Sequence, residues 1–277
     1  METYEGLQGM IDTHFHSRVM RQKGVDPVEH LKRAFAKGLV CAVDIGTELG
    51  DLEERSELIA EFDWVYMAAG LYPSYAGAED LPSLVAELEA SILEHQAASI
   101  RGQRPRLVAV GECGIDLHWD FADTACQQEL LELQIDLADR LDLPVVIHSR
   151  EADDPLLEVF RRHSPKRGGI LHCFSSGPEM MRRCLDLGFF ISFAGNLTFK
   201  NAELIRSSAL QVPMDRLLFE TDSPYLSPEP MRGKPNHPAF VAHTYSFFSR
   251  LRSVPMEELI SQVAANVHRI FSLPPAI

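Results

Sequence analysis

The stretch GMIDTHFHS closes an apolar run with two histidines, His14 and His16. In an extended chain successive side chains alternate faces, so both imidazoles project to one side, with Asp12 a step deeper and Phe15 opposite. Two neutral imidazoles side by side form a metal-binding pair. Other apolar runs also end in polar groups: Glu112 in RLVAVGECGID, His148 in LPVVIHSRE, His172 in GGILHCFS, and Glu220 and Asp222 in RLLFETDSP. A lone buried histidine needs no more than a backbone carbonyl as partner, and a lone carboxylate no more than a helix to cap. Four histidines with the carboxylates Glu112 and Asp222 at the same point of five strands require a joint explanation, and a metal centre supplies it.

This donor set exceeds the needs of one tetrahedral ion and suits two ions sharing a bridge. Glu112, alone on its strand, is the expected bridge. His14, His16 and Asp222 would complete one site and His148 and His172 the other, leaving positions open for water and substrate. Imidazoles favour zinc or manganese, and an oxygen-rich phosphate substrate also tolerates magnesium.

The elements that must position these residues repeat along the chain. Short β-rich runs alternate with amphipathic stretches, and the spacing predicts helices from Pro27 to about Lys37, Leu52 to Phe62, Leu81 to His95, Gln127 to Arg140, Pro155 to Arg162 and Pro178 to Leu187. Asp26 before Pro27 reads as an N-cap with proline at the first helical position. With FFISFAGN and RLLFETDSP the strands number about eight. Continuous apolar strands of this kind belong in a parallel sheet covered on both faces. The expected fold is therefore an α/β (β/α)8 TIM barrel, whose strand C-termini converge on one mouth. Helices over Ala239 to Leu251 and Met256 to Phe271 close its outside. The polar stretch ASIRGQRPR reads as a surface loop rather than a linker, so residues 1–277 are expected to form one domain.

At 277 residues and 45% hydrophobic, the chain can bury a core of that size. A formal net charge of −14 excludes a broad basic surface gripping long nucleic acid, and leaves only a local anion site. The five cysteines are odd in number and form no C-x-x-C, which argues for small buried hydrophobes in a reducing compartment. Met1 to Gly9 has no basic, apolar leader pattern, and no segment has the length of a membrane span. Nothing in the chain indicates an obligate protein partner.

The motifs DTHFH, GECGIDLHWD, VVIHSREA, LHCFSSGPE, ISFAGNLTFKNAE, RLLFETDSPYLSPEPMRGKPNHP and NVHRIF, in this order from Asp12 to Phe271, resemble the TatD family of metal-dependent hydrolases, within the amidohydrolase-like barrels. The resemblance implies a cytoplasmic deoxyribonuclease with 3′-to-5′ exonuclease action on single-stranded DNA or short nucleic-acid ends, and on RNA in some members. It carries the metal-ligand role onto His14, His16, Glu112, His148, His172 and Asp222, the set already reached from the residues. Asp222, ligated yet retaining a free oxygen, is the expected general base, with Glu112 beside it. Glu220 is placed to assist a ligand or a water.

Arg150, Lys200 and Arg232 are expected in loops at the mouth, where a cation meets phosphate, and His118 and Trp119 where a sugar or base would lie. Two positions depart from the family pattern. Tyr72 occupies the place of histidine in a Gly-x-His-Pro turn, and His237 that of glutamate in Asn-Glu-Pro. Both bear on how the scissile group is held. The same donor set also suits hydrolysis of an amide, lactone or aminoacyl ester, and a barrel that binds metal without catalysis is the non-enzyme alternative.

Overall fold

In the computed structural model eight strands lie in one sheet in chain order: β1 (Ile11–Phe15), β2 (Cys41–Ile45), β3 (Val65–Ala69), β4 (Leu107–Asp116), β5 (Val145–Arg150), β6 (Gly169–Leu171), β7 (Phe190–Phe193) and β8 (Leu217–Phe219). Residue 6, residues 8–100, residue 102 and residues 106–273 are described. Every neighbouring pair is parallel, and an isolated parallel bridge from Phe15 to Ser223 joins the first strand to the segment after the last. The expected (β/α)8 barrel is the observed one. Ten helices lie among these residues: α1 (Ser17–Gln22), α2 (Pro27–Ala36), α3 (Leu52–Ile59), α4 (Leu81–Ile100), α5 (Thr124–Leu141), α6 (Asp153–Arg162), α7 (Pro178–Asp186), α8 (Glu203–Ala209), α9 (Val241–Arg252) and α10 (Met256–Phe271).

All residues of β1 to β4 are buried, as strands must be with side chains filling the barrel on one face and helices covering the other. The start of α2 is fixed as its sequence dictates. The Asp26 carboxylate accepts from the N–H groups of Val28 and Glu29 at 2.9 and 3.1 Å, and Leu31 and Ala34 face the core. Two short helices, α1 and α8, were not expected, and α4 runs past His95 to Ile100 into the stretch expected to be a loop. Residues 101 and 103–105 of that stretch, and residues 1–5 and 7 of the amino-terminal one, lie outside the described residues. Among the described residues no helix is long and apolar enough to cross a membrane.

The barrel closes between β1 and the end of β8 by an irregular set of bonds. β8 itself stops at Phe219, shorter than the apolar run suggested. Beyond it the Thr221 N–H and hydroxyl donate to the two oxygens of Asp12 at 2.8 and 2.7 Å. The Thr13 hydroxyl donates to the Phe219 carbonyl at 3.0 Å. The Asp222 N–H donates to the His14 carbonyl and the His16 N–H to the Ser223 carbonyl, both at 2.9 Å. Asp12 thus serves the closure rather than the mouth, and burial pushes its carboxyl up to about 8.

Candidate metal centre

Glu112 enters the mouth from the irregular stretch of β4 between Val110 and Cys113, where the pairing with β5 shifts register and the backbone packs closely against its neighbours. A Cβ on Gly70 would lie 2.6 Å from the Gly111 Cα, and one on Gly114, at φ +151°, would lie 1.9 Å from the His148 carbonyl oxygen. Glycine is required at both.

Glu112 divides its two oxygens between two groups of imidazoles. Oε1 lies 2.9 Å from Nδ1 of His148 and 2.9 Å from Nε2 of His172. Oε2 lies 3.4 Å from Nε2 of His14 and 3.7 Å from Nε2 of His16. Asp222 adds Oδ1 at 3.3 Å from His16 Nε2 and 3.8 Å from His14 Nε2. Within each group the nitrogens approach closely, at 3.1 Å for His14 and His16 and 3.3 Å for His148 and His172. Four ligand atoms held tetrahedrally at about 2.0–2.1 Å from an ion stand roughly 3.3 Å apart. The donors present fit that spacing and that chemistry. His14, Glu112 and His172 bring ligand atoms within 4.8 Å of one another, and so do His14, His16 and Asp222. His14 stands at the junction, its ring stacked on that of His172 at 4.0 Å.

The outward nitrogens of three rings are anchored. His16 Nδ1 meets the Ile45 carbonyl at 2.9 Å. His172 Nδ1 meets Glu220 Oε1 at 3.2 Å, and that oxygen also accepts the Cys173 N–H at 2.6 Å. His148 Nε2 meets Asp116 Oδ2 at 3.0 Å. Such contacts orient metal-binding histidines and raise their basicity. Glu220 therefore sits behind a ring, fully buried, rather than in the cleft. Asp116 was not singled out from the sequence, although it lies four residues after Glu112 on the same face of β4.

Burial alone would raise Glu112, but the facing His172, His14 and His148 outweigh it and hold the carboxyl well below the usual range. Burial likewise opposes the charged form of Asp222, yet His16 holds it down. Against the same burial, Asp222 and Glu112 lift His16 to about 8, while desolvation and the neighbouring His172 lower His14. Burial is again outweighed where Glu112 and Glu220 hold His172 well above the usual imidazole range, and where Asp116 and Glu112 raise His148, so charged carboxylates and imidazoles are paired across the centre.

The centre opens into a cleft of about 720 Å³ lined by His16, Tyr72, Glu112, Trp119, His148, Arg150, His172, Asp222 and Tyr225 among others. Trp119 and Tyr225 remain 55% and 42% exposed at its rim. The Arg150 guanidinium lies 5.8 Å from the Trp119 ring and the Lys23 ammonium 3.8 Å from the Tyr225 ring. His118, Lys200 and Arg232 do not line the cleft. His118 pairs with Glu151 at 2.9 Å, the Lys200 carbonyl accepts from Arg206, and the Arg232 guanidinium rests 3.9 Å over the Phe199 ring. His237 is buried, stacked on His30 at 4.2 Å. Sequence inspection gave no sign of Tyr225 as a rim residue, because YLSP after the last strand reads as a turn.

Residues 11–272 match the family model described as TatD related DNase. The chain is 34% identical to the uncharacterized metal-dependent hydrolase YabD of Bacillus subtilis over 95% of its own length and 99% of that protein. It is 35% identical to the uncharacterized metal-dependent hydrolase YcfH of Escherichia coli K12, covering 95% and 96%. The crystal structure of the TatD homolog YJJV from Escherichia coli K12 superposes with a TM-score of 0.83 at 29% identity, over 97% of this chain and all of that one. Sequence, barrel and donor set agree, and the chain belongs to the TatD family of metal-dependent hydrolases.

Proposed function

We propose that the protein is a cytoplasmic deoxyribonuclease that hydrolyses phosphodiesters at the ends of single-stranded DNA in the 3′-to-5′ direction, with RNA as a second substrate class, residues 1–277 acting as one catalytic barrel. The observation that carries this reading is the Glu112 carboxylate, with one oxygen toward His148 and His172 and the other toward His14 and His16. That arrangement suits two divalent ions, one with His14, His16 and Asp222 and one with His148 and His172. Bound there, zinc, manganese or magnesium would acidify water and neutralise charge on the phosphoryl oxygens.

The chain's own residues account for the rest. Asp222, fixed by its backbone bond to His14, accepts the proton of the attacking water. Arg150, lining the cleft, holds a phosphate oxygen. Trp119 and Tyr225, part-exposed at the rim, supply aromatic rings against which splayed bases would gain about 1–3 kcal/mol each by stacking, which favours a nucleic acid over a lactone. The five free cysteines fit a reducing compartment.

The test is a panel of single-stranded DNA, RNA, a model phosphodiester and a lactone, each with Mg²⁺, Mn²⁺ or Zn²⁺. Cleavage of single-stranded DNA is expected to dominate. Lactone turnover without phosphodiester cleavage overturns the nuclease reading. Metal analysis of the loaded protein is expected to give two ions, and of Glu112→Gln fewer. One ion in the wild type, with occupancy and activity kept in the variant, overturns the two-ion site.

A further inference from the structure

Tyr72 follows β3 in the turn that ends with Pro73, and its backbone is tied down by its N–H bond to the Thr47 carbonyl at 3.1 Å. Its hydroxyl lies 3.0 Å from Asp116 Oδ2 and 3.1 Å from His148 Nε2, and those two atoms are themselves 3.0 Å apart. Phenol, carboxylate and imidazole form a closed triangle on the outward nitrogen of one ring of the centre. The other two anchored rings, His16 and His172, each have one oxygen at that nitrogen.

The hydrogens in this triangle can be assigned. Asp116 is an acceptor only, and its Oδ1 is occupied by the N–H groups of His118 at 2.9 Å and Trp119 at 3.3 Å. Its Oδ2 takes the phenol O–H, since the other partner in reach, His148 Nε2, lies 3.0 Å from that acceptor-only oxygen and must hold a hydrogen toward it. His148 Nε2 then faces two oxygens with lone pairs, and keeps its own hydrogen. That leaves Nδ1, 2.9 Å from Glu112 Oε1, as the nitrogen that would give up its hydrogen and present its lone pair when an ion binds between them, the form in which an imidazole ligates. The phenyl ring is held by an edge contact to Phe121 at 5.9 Å.

We propose that Tyr72 is a positioning residue: together with Asp116 its hydroxyl holds the His148 ring in the Nε2–H form with Nδ1 facing Glu112, and so sets how tightly the His148–His172 side of the centre retains a divalent ion. This rests on the two-ion reading of the site, and the experiment separates the two. Zinc is loaded into the full chain and its release into a chromophoric chelator is followed. Two phases are expected for the wild type. Tyr72→Phe, which keeps the ring and removes only the hydroxyl, is expected to accelerate one phase about 10- to 100-fold and leave the other unchanged. Asp116→Asn should accelerate the same phase, and the double variant should add little, because both act through one ring.

The second readout is the Nε2–H proton resonance of His148 in the loaded protein, expected to move in Tyr72→Phe. Wild-type release and an unmoved resonance in that variant overturn the proposal. A raised KM for a phosphodiester with release unchanged also overturns it, making Tyr72 a substrate contact instead. A single release phase in the wild type refutes the two-ion reading. The His148 resonance still decides the role of Tyr72 in that case, moving if the hydroxyl holds the ring and staying in place if it does not.

Discussion

Asp222 adopts φ 55°, a left-handed conformation that costs a non-glycine residue about 1–2 kcal/mol, and its N–H is spent on the His14 carbonyl. Asparagine tolerates that conformation at least as well and has the same shape. In the metal-free protein Asp222→Asn should therefore melt near the wild-type temperature, while with metal supplied single-turnover cleavage of single-stranded DNA falls roughly 10²-fold or more, as proton acceptor and ligand are lost together. Turnover near wild type would remove Asp222 from the chemistry. At this scale most of the centre was legible in the sequence, because each donor stands at the end of an apolar run, although His16, His172 and Asp222 lie just beyond β1, β6 and β8, where alternation no longer sets the face. Asp116 escaped because the chemistry was read where the run reaches Glu112, whereas β4 continues in strand geometry through Asp116. The mouth cations were the least legible. A loop's sequence states a charge and not its direction, so Arg150 meets the cleft while Lys200 and Arg232 turn elsewhere.

Among the elements, α3 illustrates what a one-dimensional pattern hides. LEERSELI reads as a solvated helix, yet Arg55 is 1% exposed. Its guanidinium pairs with Asp44 Oδ2 and Asp51 Oδ1, both at 2.9 Å, and donates to the Ala68 carbonyl at 3.0 Å. Asp44 in turn accepts the Ser17 N–H at 2.7 Å, immediately after His16. Removing the cation leaves Asp44 buried without its countercharge. Arg55→Met is expected to cost about 3–5 kcal/mol in urea unfolding, and Arg55→Lys to recover little, since an ammonium cannot reproduce the fork. A loss below about 1 kcal/mol would show that the pair is dispensable. Helices announced by a cap, such as α2 behind Asp26, were readable. The six residues of α1 and seven of α8 were not, because so short a helix is stabilised by tertiary packing rather than by its own sequence.

For the molecule as a whole, the net charge of −14 sets how nucleic acid is met. A surface this acidic repels a long duplex, and the cleft offers Arg150 as the one arginine or lysine among its described lining residues. Binding of a short single strand should therefore weaken gently with salt, with a log-log slope corresponding to about one to three phosphate contacts. A steep slope, or processive degradation of long duplex, would contradict a local site. The fold was legible at this scale because parallel strands buried on both faces write their burial as unbroken apolar runs. The closing edge was not, since β8 yields after three residues to bonds made by Asp12, Thr13 and Thr221.

That closing edge has a consequence for chain entropy. Asp12 and Thr221 are 209 positions apart, so whatever fastens them encloses nearly the entire barrel in one loop. His14, His16 and Asp222 bracket the same edge, and an ion held by all three would be a cross-link of comparable span. In the chain-entropy picture a permanent link enclosing that many residues removes about 5 kcal/mol of freedom from the unfolded chain. A labile ion delivers only the part its occupancy sustains, but it acts on the longest loop the topology offers. The two ends of the barrel would then be joined by the same atoms that perform the chemistry, and loss of the ion would loosen the first and last strands before any other pair.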